Sequence, residues 1–170
     1  QALKLQQDVP STELRLINII ISNDSNLNSE DKDRLKQRRL SLGNEDPNLV
    51  AQSLMEAATE QRTLENRAGA VSLYQQALDL PLSQDLETTL RVEQADVQLE
   101  LGNNNDAENL YRQALDTIQT SVSARLGLAE ALIRQQKSQE ALEILSAVED
   151  TEEITEELQR KRAQALSQLN

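Results

Sequence analysis

Small and apolar residues recur at helical spacing through the middle of the chain. Three times, an alanine is followed four and seven residues later by residues that would share one face of a helix. The three sets are Ala70, Tyr74 and Ala77; Ala107, Tyr111 and Ala114; and Ala141, Leu145 and Val148. The leading alanines are 37 and then 34 residues apart. This spacing predicts a repeated helical unit of nearly constant length.

A second predicted helix precedes each of these helices. Its apolar face is plainest in the first and third units, where it comprises Leu54, Ala57 and Ala58, and Leu128, Ala129 and Leu132. Between the paired helices of the middle unit, Gly102 suits the left-handed residue that follows a helix end. Asn105 and Glu108 have the spacing of a capping box, so we expect them to open the next helix.

These paired helices resemble the tetratricopeptide repeat family, whose 34-residue helix–turn–helix units have small residues where the two helices cross. The resemblance covers roughly residues 48–155, and the small pairs would be Ala58 with Ala70, Ala95 with Ala107, and Ala129 with Ala141. It implies an all-α fold, a helix–turn–helix repeat solenoid of about three units. The predicted units span residues 47–84, 85–121 and 122–151.

The sequence departs from the family pattern in the first helix of each unit. The aromatic residue usual early in that helix is replaced by Leu54, Arg91 and Arg125. In the second unit, Val92, Ala95 and Leu99 form a better apolar stripe if the register shifts by one residue. The register of that helix therefore stays open.

The first 46 residues fit no repeat, and we expect an N-terminal two-helix segment packed on the repeats. A helix from about Ser11 to Ser22 is apolar nearly all round, through Leu14, Leu16, Ile17, Ile19, Ile20 and Ile21. We expect Leu14, Ile17, Ile20 and Ile21 to be buried against the first repeat. In the alternative, this helix is a contact with a second copy or with a partner.

A second helix is predicted from Glu30 to about Leu42, followed by Gly43 and Asn44. Leu35 and Leu42 should point inward, whereas the basic residues should face water: Arg34, Lys36, Arg38 and Arg39. Asp46 and Pro47 then start the first repeat, because proline is favoured at the first helical position.

Residues 152–170 are predicted to form a C-terminal capping helix, opened by a capping box of Asp150 and Glu153. Its apolar stripe comprises Ile154, Leu158, Ala165, Leu166 and Leu169. Its polar face comprises Glu156, Glu157, Gln159, Arg160, Lys161 and Gln164. One apolar face suits a helix that covers the end of a repeat stack.

Composition narrows the candidate partners. The chain has two Tyr and no Trp or Phe, so the core must be built from Leu, Ile, Val and Ala. Tyr74 and Tyr111 resemble packing positions of the tetratricopeptide repeat family, which implies that both are buried. The formal net charge is -12, which repels nucleic acid and anionic membranes. A basic or neutral protein is the better partner.

The chain lacks the residue types that most enzymes use. It has no His and no Cys, which excludes the usual nucleophile–base pairs, disulfides and ordinary zinc sites. Its four Gly are scattered, so no phosphate-binding loop is present. Paired carboxylates remain possible in principle, but we predict that the chain is not an enzyme and needs no cofactor.

One short run partly matches a calcium loop. Asp24, Asn26 and Asn28 alternate like its first ligands, but Ser29 and Leu35 occupy the places of the required Gly and the bidentate Glu. We therefore expect no metal here, and a polar loop that caps the next helix.

No stretch has the 18 or more apolar residues of a membrane helix, and the longest apolar cluster, Leu14 to Ile21, is short. The absence of Cys is compatible with the cytoplasm or a bacterial periplasm, so the compartment stays open. Because the chain begins at Gln1, we expect a processed product or a fragment.

The resemblance implies a protein–protein interaction module in which the first helices of successive units line a groove for a peptide or protein segment. The groove candidates are Met55, Thr59, Val92, Asp96, Leu99, Leu126, Glu130, Ile133 and Arg134. Their mixture of apolar and acidic groups suits a partner with apolar and basic residues. One subgroup of the family clamps terminal carboxylates with Lys and Asn, but the matching positions are Met55, Thr59, Glu93, Ser123 and Gly127, which disfavours that role.

The alternative function is a structural scaffold or self-associating assembly factor that uses the Ile-rich N-terminal helix. We favour a monomer. The sequence does not identify the partner or the pathway.

Overall fold

A computed structural model of the chain describes residues 28–43, 46–149 and 155–169, together with Glu13, Leu16, Ile17 and Ile20. These residues form helices and connecting turns and include no strand. The helices are α1 (Ser29–Gly43), α2 (Pro47–Thr63), α3 (Arg67–Leu78), α4 (Gln84–Glu100), α5 (Asn104–Thr117), α6 (Val122–Arg134), α7 (Ser138–Ser146) and α8 (Thr155–Leu169). The prediction of an all-α helix–turn–helix repeat fold is confirmed.

The turns inside the three helix pairs have one common geometry. Each has a residue in the left-handed region at the same place: Glu65 (φ 61), Gly102 (φ 81) and Gln136 (φ 62). In each turn, the amide of the next residue donates to the carbonyl five residues before it, at 2.9 Å in all three cases. This is the Schellman closure of a helix C-terminus, here repeated once per unit.

The chain divides into two compact units, Gln1–Leu86 and Glu87–Asn170. In unit 1, α2 packs against α3 and α1. Asp46 caps α2, since its Oδ1 accepts from the amides of Asn48 and Leu49, and Pro47 is the first helical residue as predicted. Ala58 and Ala70, the predicted small pair, are both fully buried. The predicted segment boundaries stay predictions.

Two expectations for the N-terminal part are corrected by unit 1. Ile17 is buried as expected, but Ile20 and Leu16 are 37% and 54% exposed. Arg39 does not face water: it is half-buried and donates to Gln76 Oε1 of α3 at 3.1 Å. Its long side chain lets the guanidinium reach a polar group on the neighbouring helix while its stem is covered.

Several N-terminal predictions remain outside the described part. Leu14, Ile19 and Ile21 are not described, and neither is the side chain of Leu42. Leu35 is half-buried and Arg34, Lys36 and Arg38 are exposed, as predicted.

Unit 2 contains one continuous hydrophobic core. Ala95, Ala107, Ala129 and Ala141 are all fully buried in it, together with Tyr111. Small residues at these places allow close approach of the paired helices. The core also takes Leu158 and Ala165 from α8, so the last helix is part of this packing.

The polar and apolar faces of α8 differ from the prediction. Lys161, assigned to the polar face, is buried, with its side chain 5% exposed. Leu166 and Leu169, assigned to the apolar stripe, are each 51% exposed. Lys161 is buried because its amine forms an ion pair with Glu130 of α6, a partner that the periodicity of one helix does not reveal. Asp150, Glu153 and Ile154 lie outside the described residues.

The predicted capping box of Asn105 and Glu108 is wrong. Helix α5 already begins at Asn104, with Asn103 as its N-cap residue, so Asn105 is not the cap. The Glu108 carboxylate accepts hydrogen bonds from side chains near the start of α7. Its Oε2 accepts from Lys137 Nζ at 2.8 Å and from Gln135 Nε2 at 2.9 Å. Glu108 therefore joins α5 to the turn before α7, and the side chain of the N-cap residue, Asn103, makes no capping hydrogen bond.

None of the helices in the described part of the chain has both the length and the apolar content that a membrane span requires.

Candidate functional site

Unit 2 has a concavity on its surface with a volume of about 320 Å³. We call it the unit 2 concavity. It is lined by Val92, Asp96 and Leu99 of α4; Tyr111 of α5; Val122, Ser123, Leu126, Gly127 and Glu130 of α6; and Glu157 and Lys161 of α8. Helices α4 and α6 are the first helices of their pairs, so this surface corresponds to the predicted groove side of the repeats.

The apolar part of the lining comes from α4 and α6. Val92 and Val122 are half-buried, whereas Leu99 and Leu126 are only 7% and 6% exposed. An apolar side chain that entered the concavity would therefore find more exposed surface on the two valines than on the two leucines. This arrangement can take up an aliphatic group or the methylene stem of a longer side chain.

The polar part of the lining includes Tyr111, which belongs to α5, the second helix of its pair. Its ring is fully buried, and its hydroxyl donates to Asp96 Oδ1 on α4. The ring lies directly against the backbone of Gly127: a Cβ placed there would be 2.2 Å from Tyr111 Cε1. Gly127 is thus the residue that lets the Tyr111 hydroxyl reach the concave side.

Burial and the neighbouring Asp96 both shift the pKa of Tyr111 in the same direction. Burial raises the pKa of the Tyr111 phenol well above its ordinary value, and the negative charge of Asp96 raises it further. The hydroxyl therefore keeps its proton at physiological pH and remains a donor to the Asp96 carboxylate.

Glu130 is held by two cations. Its Oε1 accepts from Arg134 Nε at 2.8 Å, and its Oε2 accepts from Lys161 Nζ at 2.9 Å. Burial alone would raise the pKa of Glu130, but these hydrogen bonds and positive charges outweigh it and lower the pKa. Lys161 also lies 3.5 Å from Glu157 Oε1, so α8 contributes both signs of charge to the site.

Five of the nine predicted groove residues line the unit 2 concavity: Val92, Asp96, Leu99, Leu126 and Glu130. Arg134 lies beside it and donates to Leu99 O at 2.9 Å as well as to Glu130. Ile133 was misassigned, because it is fully buried in the core of unit 2.

Met55 and Thr59 belong to unit 1. They border a separate depression along α2, together with Glu56, Glu60 and Thr63. Whether any of the predicted residues binds a partner stays a prediction.

Six of the lining residues are absent from the predicted groove candidates: Tyr111, Val122, Ser123, Gly127, Glu157 and Lys161. Ser123 and Gly127 were considered only as counterparts of the family's carboxylate-clamp positions. One signal was present, since an isolated Gly inside a helical pattern often marks a close approach. Gly127 is such a residue. Lys161 carried no signal, because its burial depends on a residue 31 positions away in the chain.

Among the residues that the structure describes, no group of three or more acidic side chains is placed to hold a metal ion. Asp24 and Asn26 lie outside those residues, so the expectation of no calcium there stays a prediction. Asn28 is described, and its Oδ1 accepts from the Asp31 amide at 2.8 Å at the start of α1.

Comparison with known proteins gives a family match in the C-terminal part of the chain. Residues 98–165 match the family model described as tetratricopeptide repeat, a span of less than half of the chain. The match covers α5 to α7 and most of α8, so the predicted resemblance to this family is confirmed. The comparison with curated proteins gives no match. Tetratricopeptide repeats are generally protein–protein interaction modules and are typically non-catalytic.

Proposed function

We propose that this chain is a protein-interaction module that binds a peptide or protein segment in the unit 2 concavity. The observation that supports this most is a repeated pair of lining residues. Val92 and Asp96 on α4 have the same spacing as Leu126 and Glu130 on α6, and all four line one surface. An apolar group followed one turn later by a carboxylate, on two neighbouring helices, offers an extended segment alternating apolar and polar contacts.

Binding without catalysis fits the chemistry of this surface. Glu130 is fixed by Arg134 and Lys161, and its lowered pKa makes it a poor general base. The chain also has no His and no Cys to act with it. We therefore propose that the module has no enzymatic activity of its own.

A second candidate is self-association through the N-terminal helix. The supporting observation is that Leu16 and Ile20 are 54% and 37% exposed in unit 1. Exposed aliphatic side chains on one helix can form a contact between copies. If this holds, light scattering will give a dimer for the parent and a monomer for the double variant Leu16→Glu, Ile20→Glu.

The binding proposal is tested by blocking the unit 2 concavity. Ser123 lines it and is exposed, so Ser123→Trp should fill the entrance while leaving the core unchanged. Ser167→Trp is the matched control, since Ser167 is an exposed helical serine outside the lining. Segments selected from a displayed random-peptide library should bind Ser123→Trp at least about tenfold more weakly than the parent and the control.

The absence of cysteine makes a second readout simple. A dye attached to Ser123→Cys is the sole thiol label, and its fluorescence should change when a selected segment binds. A dye at Ser167→Cys should not respond. Equal affinity of all variants for every selected segment would contradict the proposed site.

A further inference from the structure

We propose that Glu157 of α8 contacts a Lys or Arg side chain of the bound segment. This inference rests on the proposed function and deepens it, because it gives the partner a basic residue at a stated place. It also makes α8 a wall of the binding site, in addition to its part in the core of unit 2.

Helix α8 runs alongside α6 in the same direction. Two contacts show this: Lys161 Nζ donates to Glu130 Oε2 at 2.9 Å, and further along both helices Gln168 Nε2 donates to Ile133 O at 3.2 Å. Glu157 lies one helical turn before Lys161, so it borders the N-terminal half of α6. The apolar lining that α6 contributes to the unit 2 concavity lies in that half of the helix.

The charged residues of the lining differ in how far a partner can reach them. The side chains of Lys161 and Glu130 are only 5% and 16% exposed, and they are paired with each other. Asp96 is half-buried. The Glu157 side chain is 48% exposed. Among the charged residues that line the concavity, the carboxylate of Glu157 is therefore the one most open to a bound segment.

The amine of Lys161 is shared unequally between two carboxylates. It lies 2.9 Å from Glu130 Oε2, which is a hydrogen bond, and 3.5 Å from Glu157 Oε1, which is an ion pair at a longer distance. A carboxylate can accept up to about four hydrogen bonds. Glu157 can therefore accept from a Lys or Arg of the partner while Lys161 stays where it is.

The surface beside Glu157 also fits the rest of a basic side chain. Val122 is half-buried on the first turn of α6 and lines the same concavity. It can contact the methylene stem of a Lys or Arg whose charged group reaches Glu157. The net charge of -12 favours the approach of a positive segment and disfavours that of a negative one.

The experiment is a double-mutant cycle with a peptide that is selected from the displayed random-peptide library and then synthesised. Each Lys or Arg of the peptide is replaced by Gln in turn, and each version is titrated against the parent protein, Glu157→Gln and Glu156→Gln. Glu156 is the matched control, because it is the preceding exposed glutamate of α8 and lies outside the lining. A partly unfolded variant binds every version more weakly by the same factor, so the coupling reports the contact and not stability.

One Lys or Arg of the peptide should couple to Glu157. Its replacement by Gln should weaken binding about fivefold to tenfold for the parent and for Glu156→Gln, but less than about twofold for Glu157→Gln. The coupling should shrink in high salt, because Glu157 is partly exposed and the pair is screened.

Other outcomes would overturn the inference in separable ways. Equal losses for Glu157→Gln and Glu156→Gln, or selected peptides without Lys or Arg, refute the role of Glu157, and the proposed function still stands if Ser123→Trp abolishes binding. Binding that Ser123→Trp leaves unchanged contradicts the proposed function as well. A dimer that Ser123→Trp makes monomeric contradicts both, since the occupant would then be a second copy of the chain.

Discussion

At the scale of single residues, the place of the Tyr111 ring beside the unit 2 concavity depends on residue 127 being Gly, which has no Cβ. Gly127 is half-buried in the middle of α6, a place where glycine ordinarily weakens a helix. Here the backbone at Gly127 forms the wall against which the Tyr111 ring packs. The cost in helix propensity is offset by the contact that brings the phenol to Asp96.

This contact predicts the effect of adding the methyl group. Gly127→Ala should destabilise unit 2 by about 1–2 kcal/mol, because overpacking of the buried ring exceeds the gain of about 1 kcal/mol in helix propensity. Urea unfolding followed by circular dichroism measures the change. Ser123→Ala on the same helix is the control and should stay within about 0.5 kcal/mol of the parent. A stabilised Gly127→Ala would mean that the ring does not lie against this backbone.

At the scale of elements, the units are defined as much by their turns as by their helices. Glu65, Gly102 and Gln136 all occupy the left-handed region, but only one of them is glycine. For the other two, the Cβ crowds the following carbonyl. The sequence therefore predicts the middle turn from its glycine, whereas Glu65 and Gln136 give no such indication for the first and third turns.

The shared turn geometry predicts that adding a side chain at Gly102 and removing one at Gln136 have opposite effects on stability. Gly102→Ala should destabilise by about 1 kcal/mol, although its Cβ would meet no atom within 4 Å, because the backbone is left-handed. Gln136→Gly should stabilise the protein by about 0.5–1 kcal/mol, because it removes a side chain from a left-handed residue. This figure allows for the larger entropy that glycine loses on folding. Thermal melting of both variants checks this, and shifts of the same sign would contradict a common geometry.

A second element-scale contact is Glu108, which links α5 to the turn before α7 through Lys137 and Gln135. Burial alone would raise its pKa, but hydrogen bonds from Lys137, Gln135 and Arg112 together lower it from 4.5 to about 2. Since the pKa is lower in the folded state, this stabilisation is present above about pH 4.5 and is lost as the pH falls toward 2.

Glu108→Gln should therefore cost about 1 kcal/mol near neutral pH, and the difference from the parent should shrink as the pH falls from about 5 to about 2. Glu143→Gln, at an exposed carboxylate of α7, is the control and should stay within about 0.5 kcal/mol of the parent near neutral pH. Urea midpoints measured across this pH range give the result. A constant difference at all pH values would show that the charge of Glu108 is not what joins these elements.

At the scale of the whole molecule, periodicity predicted the helices and the repeat, and the resemblance to the tetratricopeptide repeat implied the buried alanine pairs. Ala95, Ala107, Ala129 and Ala141 are all in the core of unit 2, as the resemblance implied. Periodicity failed where a charged side chain found a partner on another helix. Lys161 is the clearest case, since its burial depends on Glu130, and no pattern within α8 contains that information.

The same limit applies to the candidate site. Five residues of α4 and α6 that line it were predicted because they belong to the first helices of the repeat: Val92, Asp96, Leu99, Leu126 and Glu130. Tyr111 and Lys161 were not, because they reach the surface from an outer helix and from the last helix. Those two positions depend on how the helices of unit 2 pack, which one sequence does not show.

The proposed function places a partner segment in the unit 2 concavity. The most direct measurement is a titration of isotope-labelled protein with a selected peptide, followed by nuclear magnetic resonance. We predict the largest shifts for the amides of Val92, Asp96, Ser123 and Leu126, and for those near Glu157, with Ser123→Trp abolishing them. Shifts confined to unit 1 or to the outer face of α7 would contradict the claim.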